Sequence, residues 1–251
     1  ASNYTMTVNV TAVNDAPTAS DNTVTTTEDN NHTFAASEFG FTDVDGDSLD
    51  HVTIATLPST GTLYLSGVAV SAGDQISAAD ISNLVFTPAA NGNGSPYDTF
   101  TFSVNDGTTD SASNYTMTVN VTAVNDAPTV VNDTDSVTEG GTVTETTNSA
   151  GTVISDDSDT DGDSLTVSGT VTQTSATDTS GSSITINSPN SASVGSAVTG
   201  YYGQLTLNSN GTYSYVANQS NADALDSGES ATDVFTFTLS DGTTTTSSTI
   251  T

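Results

Sequence analysis

Residues 1–18 and 112–129 carry the same eighteen residues, ASNYTMTVNVTAVNDAPT, at an offset of 111. A verbatim repeat makes the chain periodic, and a period near 100 residues is the size of one small β-sandwich. Inside the second copy, residues 115, 117, 119 and 121 are apolar and those between them polar. That is the period of a half-buried strand. The copy then runs into Val-Asn-Asp-Ala-Pro, where Pro17 or Pro128 fixes φ and pushes the preceding residue to an extended conformation. The repeat therefore reads as the last strand of one domain followed by a short, stiff joint to the next.

This reading divides the chain. Residues 1–18 are the last strand and linker of a preceding or neighbouring repeat. Residues 19–129 are one complete sandwich with its C-terminal linker, and 130–251 are a second, its last strand cut short near Ser248–Thr251. Other alternating runs support the same class: Leu63–Leu65, Leu84–Phe86, Phe100–Val104 and Phe235–Leu239. Leu205 and Leu207, then Asn210-Gly211, then Tyr213 and Tyr215 predict a tight hairpin. Thr and Ser fill the outward positions, where β-branched Thr suits a pleated surface. Helical periodicity is absent apart from single turns at 77–81 and 222–225. The expected fold is all-β, in tandem Greek-key sandwiches of immunoglobulin or cadherin type.

Charge limits what such a chain can bind. It has no Lys, no Arg and no Cys against 30 acidic residues, a formal charge of −30. Without cations for phosphates, nucleic acid is excluded as a partner, and an anionic membrane surface repels the chain. No apolar run reaches the roughly 18 residues of a membrane span. Zero Cys removes disulfides and thiol chemistry. Only five of the acids are Glu, and the Asp residues cluster. A halophile-like surface is one reading of that clustering; neutralisation by divalent cations is the other.

Two loops carry the second reading: Asp43-Val-Asp45-Gly-Asp47 and Asp159-Thr-Asp161-Gly-Asp163. Three carboxylates at alternate positions, with Gly permitting a sharp turn, can converge on one hard cation, and calcium's flexible shell of six to eight oxygens suits them. These are not EF-hand loops. Gly is fourth rather than sixth, and the twelfth positions are Ile54 and Thr170 rather than Glu. In a Greek-key sandwich the last hairpin turn lies at the same end as the entering linker. Asn14 and Asp15 are thus expected near Asp43, Asp45, Asp47 and Asp106; Asn125 and Asp126 are expected near Asp159, Asp161, Asp163 and Asp241. Ordinary Asp-Gly turn chemistry by itself also accounts for Asp106 and Asp241. Glu28 and Glu139 follow each domain's first strand and are candidate ligands at the opposite end.

The motifs resemble bacterial surface repeats. Residues 19–129, with TEDN, FTDVDGDSL, ISAADISNLVFTPAANGNG, FTFSVNDG and VNDAP, resemble a cadherin-like tandem repeat of large adhesins. Residues 130–251, with VTEGG, DTDGDSL, YGQLTLNSNGTYSYVAN, ADALDSGE and FTFTLSDG, resemble a VCBS repeat. The resemblance implies calcium-stiffened sandwiches in very large secreted adhesion or matrix proteins of bacteria, with calcium bound by the Asp loops. Two associated features, a GGxGxD calcium repeat and an export or anchoring segment, are not in these residues.

No constellation points to an enzyme. His32 and His51 sit in strand-like surroundings without a motif, and the paired carboxylates come with no sign of a substrate cleft. The expected role is a calcium-rigidified extracellular spacer whose partners are neighbouring repeats or identical subunits. Surface glycans are an alternative ligand class, with Tyr201-Tyr202 as the one aromatic candidate. The opening strand, Tyr4–Val10, leaves two readings open. It belongs to a longer polypeptide, or it is donated to the open sandwich of a neighbouring chain, building a fibre by strand addition.

Overall fold

The computed structural model describes residues 3–145 and 151–251; Ala1 and Ser2, the start of the repeated segment, lie outside them. It divides into two units, Ala1–Val124 and Asn125–Thr251. The cut places Asn125–Pro128 with the second unit rather than at the end of the first.

In the first unit, β1 (Asn22–Thr27), β9 (Tyr115–Thr122), β8 (Gly94–Asn105), β3 (His51–Thr56) and β6 (Gln75–Ser77) form one sheet in that order. The facing sheet has the order β2 (His32–Thr33), β7 (Leu84–Thr87), β4 (Thr62–Leu65) and β5 (Val68–Ala69). All pairings are antiparallel except β1 with β9, which run parallel from Asn22 opposite Met117 to Thr27 opposite Thr122. The period-2 pattern sets what is buried. Phe100, Phe102 and Val104 of β8 and Met117, Val119 and Val121 of β9 all point into one continuous core with Phe34, Phe39, Ile54 and Phe86. Each such side chain contributes about 1.5–3 kcal/mol on burial. One short helical turn, Ala36–Phe39, was not expected from the sequence; it carries Phe39 into the core.

The second unit repeats the plan with a different finish. One sheet has the order β12 (Ser183–Ile184), β11 (Thr166–Thr177), β17 (Thr232–Ser240) and β18 (Thr245–Ile250), with β13 (Ser191–Ser193) also on β11. The other has β10 (Thr142–Glu145), β16 (Tyr213–Val216), β15 (Gln204–Leu207) and β14 (Ala197–Thr199). The β15–β16 turn is the predicted hairpin: the Gly211 amide donates to Asn208 O, 3.0 Å. Here the core falls into two clusters. One gathers Val167, Leu205, Leu207, Phe235, Phe237 and Leu239; a smaller one gathers Ala176, Tyr202, Ala217 and Ala222.

Tyr4–Val10, expected to be the last strand of another repeat, pairs with no strand of this chain. Tyr4, Met6, Val8, Val10 and Val13 are largely exposed, with Met6 86% accessible. No neighbouring strand offers this segment hydrogen-bond partners, and alternation alone does not order an isolated strand.

Candidate metal centres

The sharp turn in each Asp loop is made by a left-handed glycine, Gly46 at φ 85° and Gly162 at φ 79°, a region an L side chain rarely adopts. Around it the first carboxylate organises the loop. Asp43 Oδ1 accepts the Asp45 and Asp47 amides at 2.8 and 3.1 Å. Asp159 Oδ1 accepts those of Asp161 and Asp163 at 3.0 and 3.2 Å. The loop is thereby folded around its own anion, and one carboxylate oxygen from each Asp of a triad lies within 4.8 Å of the other two. The other oxygens of the two lead residues, Asp43 Oδ2 and Asp159 Oδ2, are buried with no hydrogen-bond partner. Leaving a buried anionic oxygen unpaired is costly, as is crowding three like charges. A hard divalent cation on the triad removes both costs, so the donor set and its orphaned oxygens fit calcium.

Each linker is tied to the loop of the unit it enters. The Asp15 amide donates to Asp45 Oδ2 at 2.7 Å, and the Asp126 amide to Asp161 Oδ2 at 2.8 Å. Asn14 Nδ2 donates to Asp106 Oδ2 and Asn125 Nδ2 to Asp241 Oδ2, both at 2.9 Å. Thr18 then bridges to Thr42, and Thr129 to Ser158, by paired backbone hydrogen bonds. Pro17 and Pro128 are buried beneath these ties.

The hairpin carboxylates lie outside the triads. Asp106 Oδ1 takes the Thr108 and Thr109 amides, each at 2.7 Å, so both of its oxygens accept hydrogen bonds. The Asn14 side chain, followed by the Thr109 amide, holds its carboxyl below the usual carboxylate range. The Thr244 hydroxyl and the Asn125 side chain hold Asp241 lower still. Glu28 is buried, and its hydrogen-bond partners are not triad residues. It accepts the Asn93 side chain at 3.1 Å and the Val124 amide, which fixes the chain as it leaves β9. Glu139 is exposed. Neither Glu joins a triad.

Two buried acids went unnoticed in the sequence. Asp98 accepts the amides of Ser59, Thr60 and Gly61, clamping the turn before β4. Burial alone raises its pKa, but the amides of Thr60, Ser59, Gly61 and Thr99 outweigh that and hold it below the usual range. Asp233 does the same before β15: it accepts the amides of Tyr201, Tyr202 and Gly203, the Gln173 side chain and the Tyr215 hydroxyl. The signal was present. Each acid shares the inward parity of the buried Phe residues two and four positions later. The Tyr201–Tyr202 pair, a glycan candidate in sequence, packs edge to face with Tyr202 buried. His32 and His51 sit in β2 and β3, beside Glu38 and Asp50 respectively. A third acidic group, Asp133 with Asp156 and Asp157, is repulsive: burial, then the two neighbouring carboxylates, push Asp133 up to about 7.

Comparisons with known proteins agree with this architecture. A family model for a bacterial Ig domain matches residues 14–122, and one for a bacterial cadherin-like domain matches 125–251. The cadherin-like match thus falls on the second unit, not the first, and no VCBS repeat is among the matches. Such domains are typically non-catalytic and extracellular or surface-exposed, and cadherin-like domains generally bind calcium. No curated protein matches. Among solved structures, an endo-fucoidan hydrolase from glycoside hydrolase family 107 is 19% identical at a TM-score of 0.30, covering 94% of this chain and 28% of that one. A tandem from titin is 13% identical at a TM-score of 0.21, covering 94% of this chain and 64% of that one. The chain thus spans under a third of the hydrolase, and at these scores neither likeness bears on function. No helix among the described residues is long and apolar enough to cross a membrane. The cadherin-like match alone spans half the chain, which belongs to the bacterial cadherin-like domain family and carries a bacterial Ig domain ahead of it.

Proposed function

We propose that the chain is a calcium-rigidified spacer of a bacterial surface adhesin or matrix protein, in which the cation fixes each linker to the unit it enters. The observation that carries this reading is the pair of acidic triads, each with an orphaned buried oxygen and each hydrogen-bonded to the amide of a linker Asp. Asp43, Asp45 and Asp47 hold one ion and Asp159, Asp161 and Asp163 the other. Asn14, Asp15, Asn125 and Asp126 are drawn to the loops and transmit the order to the linkers. Extracellular sites of this kind bind at roughly 10⁻⁴–10⁻³ M. They fill in calcium-rich surroundings outside a cell, and the chain's length and stiffness then follow external calcium. Its partners on this reading are neighbouring repeats, and its role is to space a binding element from the surface.

The test is calorimetric. Calcium at about 100 times the dissociation constant stabilises a one-site unit by about 2.7 kcal/mol, a rise of roughly 10–20 °C in the melting temperature of a domain this size. Isothermal titration gives the stoichiometry, and small-angle scattering the length. Unchanged melting and unchanged dimensions on adding a chelator sink the proposal.

A further inference from the structure

His51 is one of two histidines in a chain without Lys or Arg, and its ring stands between two carboxylates. It opens β3 and pairs there with Asn105, the last residue of β8. Its Nδ1 lies 2.8 Å from Asp50 Oδ2. A carboxylate only accepts, so Nδ1 carries the hydrogen, and in the neutral ring Nε2 is left as an acceptor. That Nε2 is buried with no hydrogen-bond partner among the described residues. What faces it is a second acceptor, Asp110 Oδ1, at 3.9 Å. Both carboxylates are held in place. The Asn105 side chain donates to Asp110 Oδ1 at 2.7 Å and accepts the Gly107 amide at 2.6 Å. The Asp50 amide donates to Asn105 O at 2.8 Å, and Asp50 O accepts the Ala78 amide at 2.7 Å. Two acceptors thus meet with no donor between them, and leaving a buried acceptor unpaired is costly.

We propose that His51 Nε2 and Asp110 form a binding site for a divalent transition metal of the zinc class, with Asp50 as the outer carboxylate that fixes the tautomer and orients the ring. The width of the gap favours such an ion. Zinc takes imidazole nitrogen at about 2.0–2.1 Å and carboxylate oxygen at about 2.0–2.2 Å, so a tetrahedral ion brings the two atoms to about 3.4 Å. Asp110 reaches that by closing about 0.5 Å, within the freedom of a side chain that is 63% accessible. A proton on Nε2 asks more, since a hydrogen bond to Asp110 needs the gap to close by about 1 Å. Imidazole suits zinc, copper and nickel, whereas calcium takes oxygen ligands. The site therefore differs in kind from Asp43, Asp45 and Asp47, and it stands whether or not the triads bind calcium. Two protein ligands leave the remaining positions to water. His32 is the internal contrast: its Nε2 already has Glu38 Oε2 at 3.2 Å, an oxygen that also accepts the Ala35 amide. The second unit has no histidine at all.

Titrating zinc into the 251-residue chain tests this, read by NMR on the nitrogens of the two histidine rings, with calcium in excess to compete for the exposed carboxylates. The expected result is that the His51 signals shift and saturate at one ion while those of His32 stay in place. His32→Gln removes its own signals and leaves the zinc response unchanged. His51→Gln abolishes the site, and Asp50→Asn weakens it about tenfold. Asp110→Asn, at a largely exposed position, weakens it further and reads the same site if His51→Gln does not fold. His51 signals that stay put at millimolar zinc overturn the proposal. Equal shifts of both rings do so too, as does zinc binding that Asp110→Asn leaves unchanged.

Discussion

The two copies of ASNYTMTVNVTAVNDAPT behave differently in their first halves and alike in their second. Tyr115–Thr122 is a central strand with Met117 and Val119 fully buried, whereas Tyr4–Val10 is exposed throughout. Yet Asn14 reaches Asp106 as Asn125 reaches Asp241, and Asp15 meets Asp45 as Asp126 meets Asp161. Identical residues share one intrinsic propensity, so the difference comes from partners. The Asn-Asp halves both find an acidic loop downstream in the same unit. The strand halves need a sheet upstream, and only the second copy has β1 and β8 on either side. A period-2 stripe specifies which face is buried once a sheet exists; it does not supply the sheet.

The contrast is broken most directly by one substitution made twice. Val119→Asp buries an unpaired carboxylate at a fully enclosed site and is expected to cost more than about 4 kcal/mol, unfolding the first unit. Val8→Asp, at the same place in the repeat, changes the monomer's stability by less than about 0.5 kcal/mol. Equal losses in calorimetry show that the first copy is packed after all. A second comparison sets Asp98→Ala against Asp233→Ala. Each strips the acceptor from at least three backbone amides, and about 2–4 kcal/mol is expected in each unit, measured by denaturant midpoints. A loss confined to one unit shows that the clamps are not equivalent. Third, Asp43→Asn and Asp159→Asn each remove one ligand charge, and each is expected to abolish most of the roughly 2.7 kcal/mol calcium stabilisation of its own unit. Loss in both units from one variant breaks the independence of the two loops.

A smaller loss of stability belongs to Asp133. Its folded pKa, about 7, lies above the unfolded value. The native state therefore holds the proton more tightly, and the stability it contributes is complete below about pH 4 and lost as pH rises through 7. Asp133→Asn removes that loss. Because the group is half-exposed and screened, the gain is about 1–2 kcal/mol at pH 8 and close to nothing at pH 4. A variant equally stabilised at both pH values shows that charge is not the cause.

Much of this was legible before any coordinates. Alternation in 100–104, 115–121 and 235–239 gave the strands and their buried faces, because side-chain parity is a local property of an extended backbone. The Asp-x-Asp-Gly-Asp spacing gave the triads, since one left-handed glycine is enough to fold three carboxylates together. The linker contacts followed from topology. Asp98 and Asp233 were hidden because an acid at an inward position reads as an exception to the pattern until the loop it clamps is in view. Glu28 was legible as a special residue but not as the acceptor of the Val124 amide, a partner 96 residues away.

By itself, then, the sequence determined the class of fold, the period, the burial parity of each strand and the composition of the acidic loops, all set by interactions within a few residues. The tertiary structure decided where the linkers are fastened and which loops Asp98 and Asp233 clamp. Those outcomes depend on pairing between residues tens of positions apart or more, as Asp98 with Ser59 and Asn14 with Asp106. A backbone amide or a valine side chain has the same chemistry at either end of the chain, and only its neighbours in space settle whether that chemistry is satisfied.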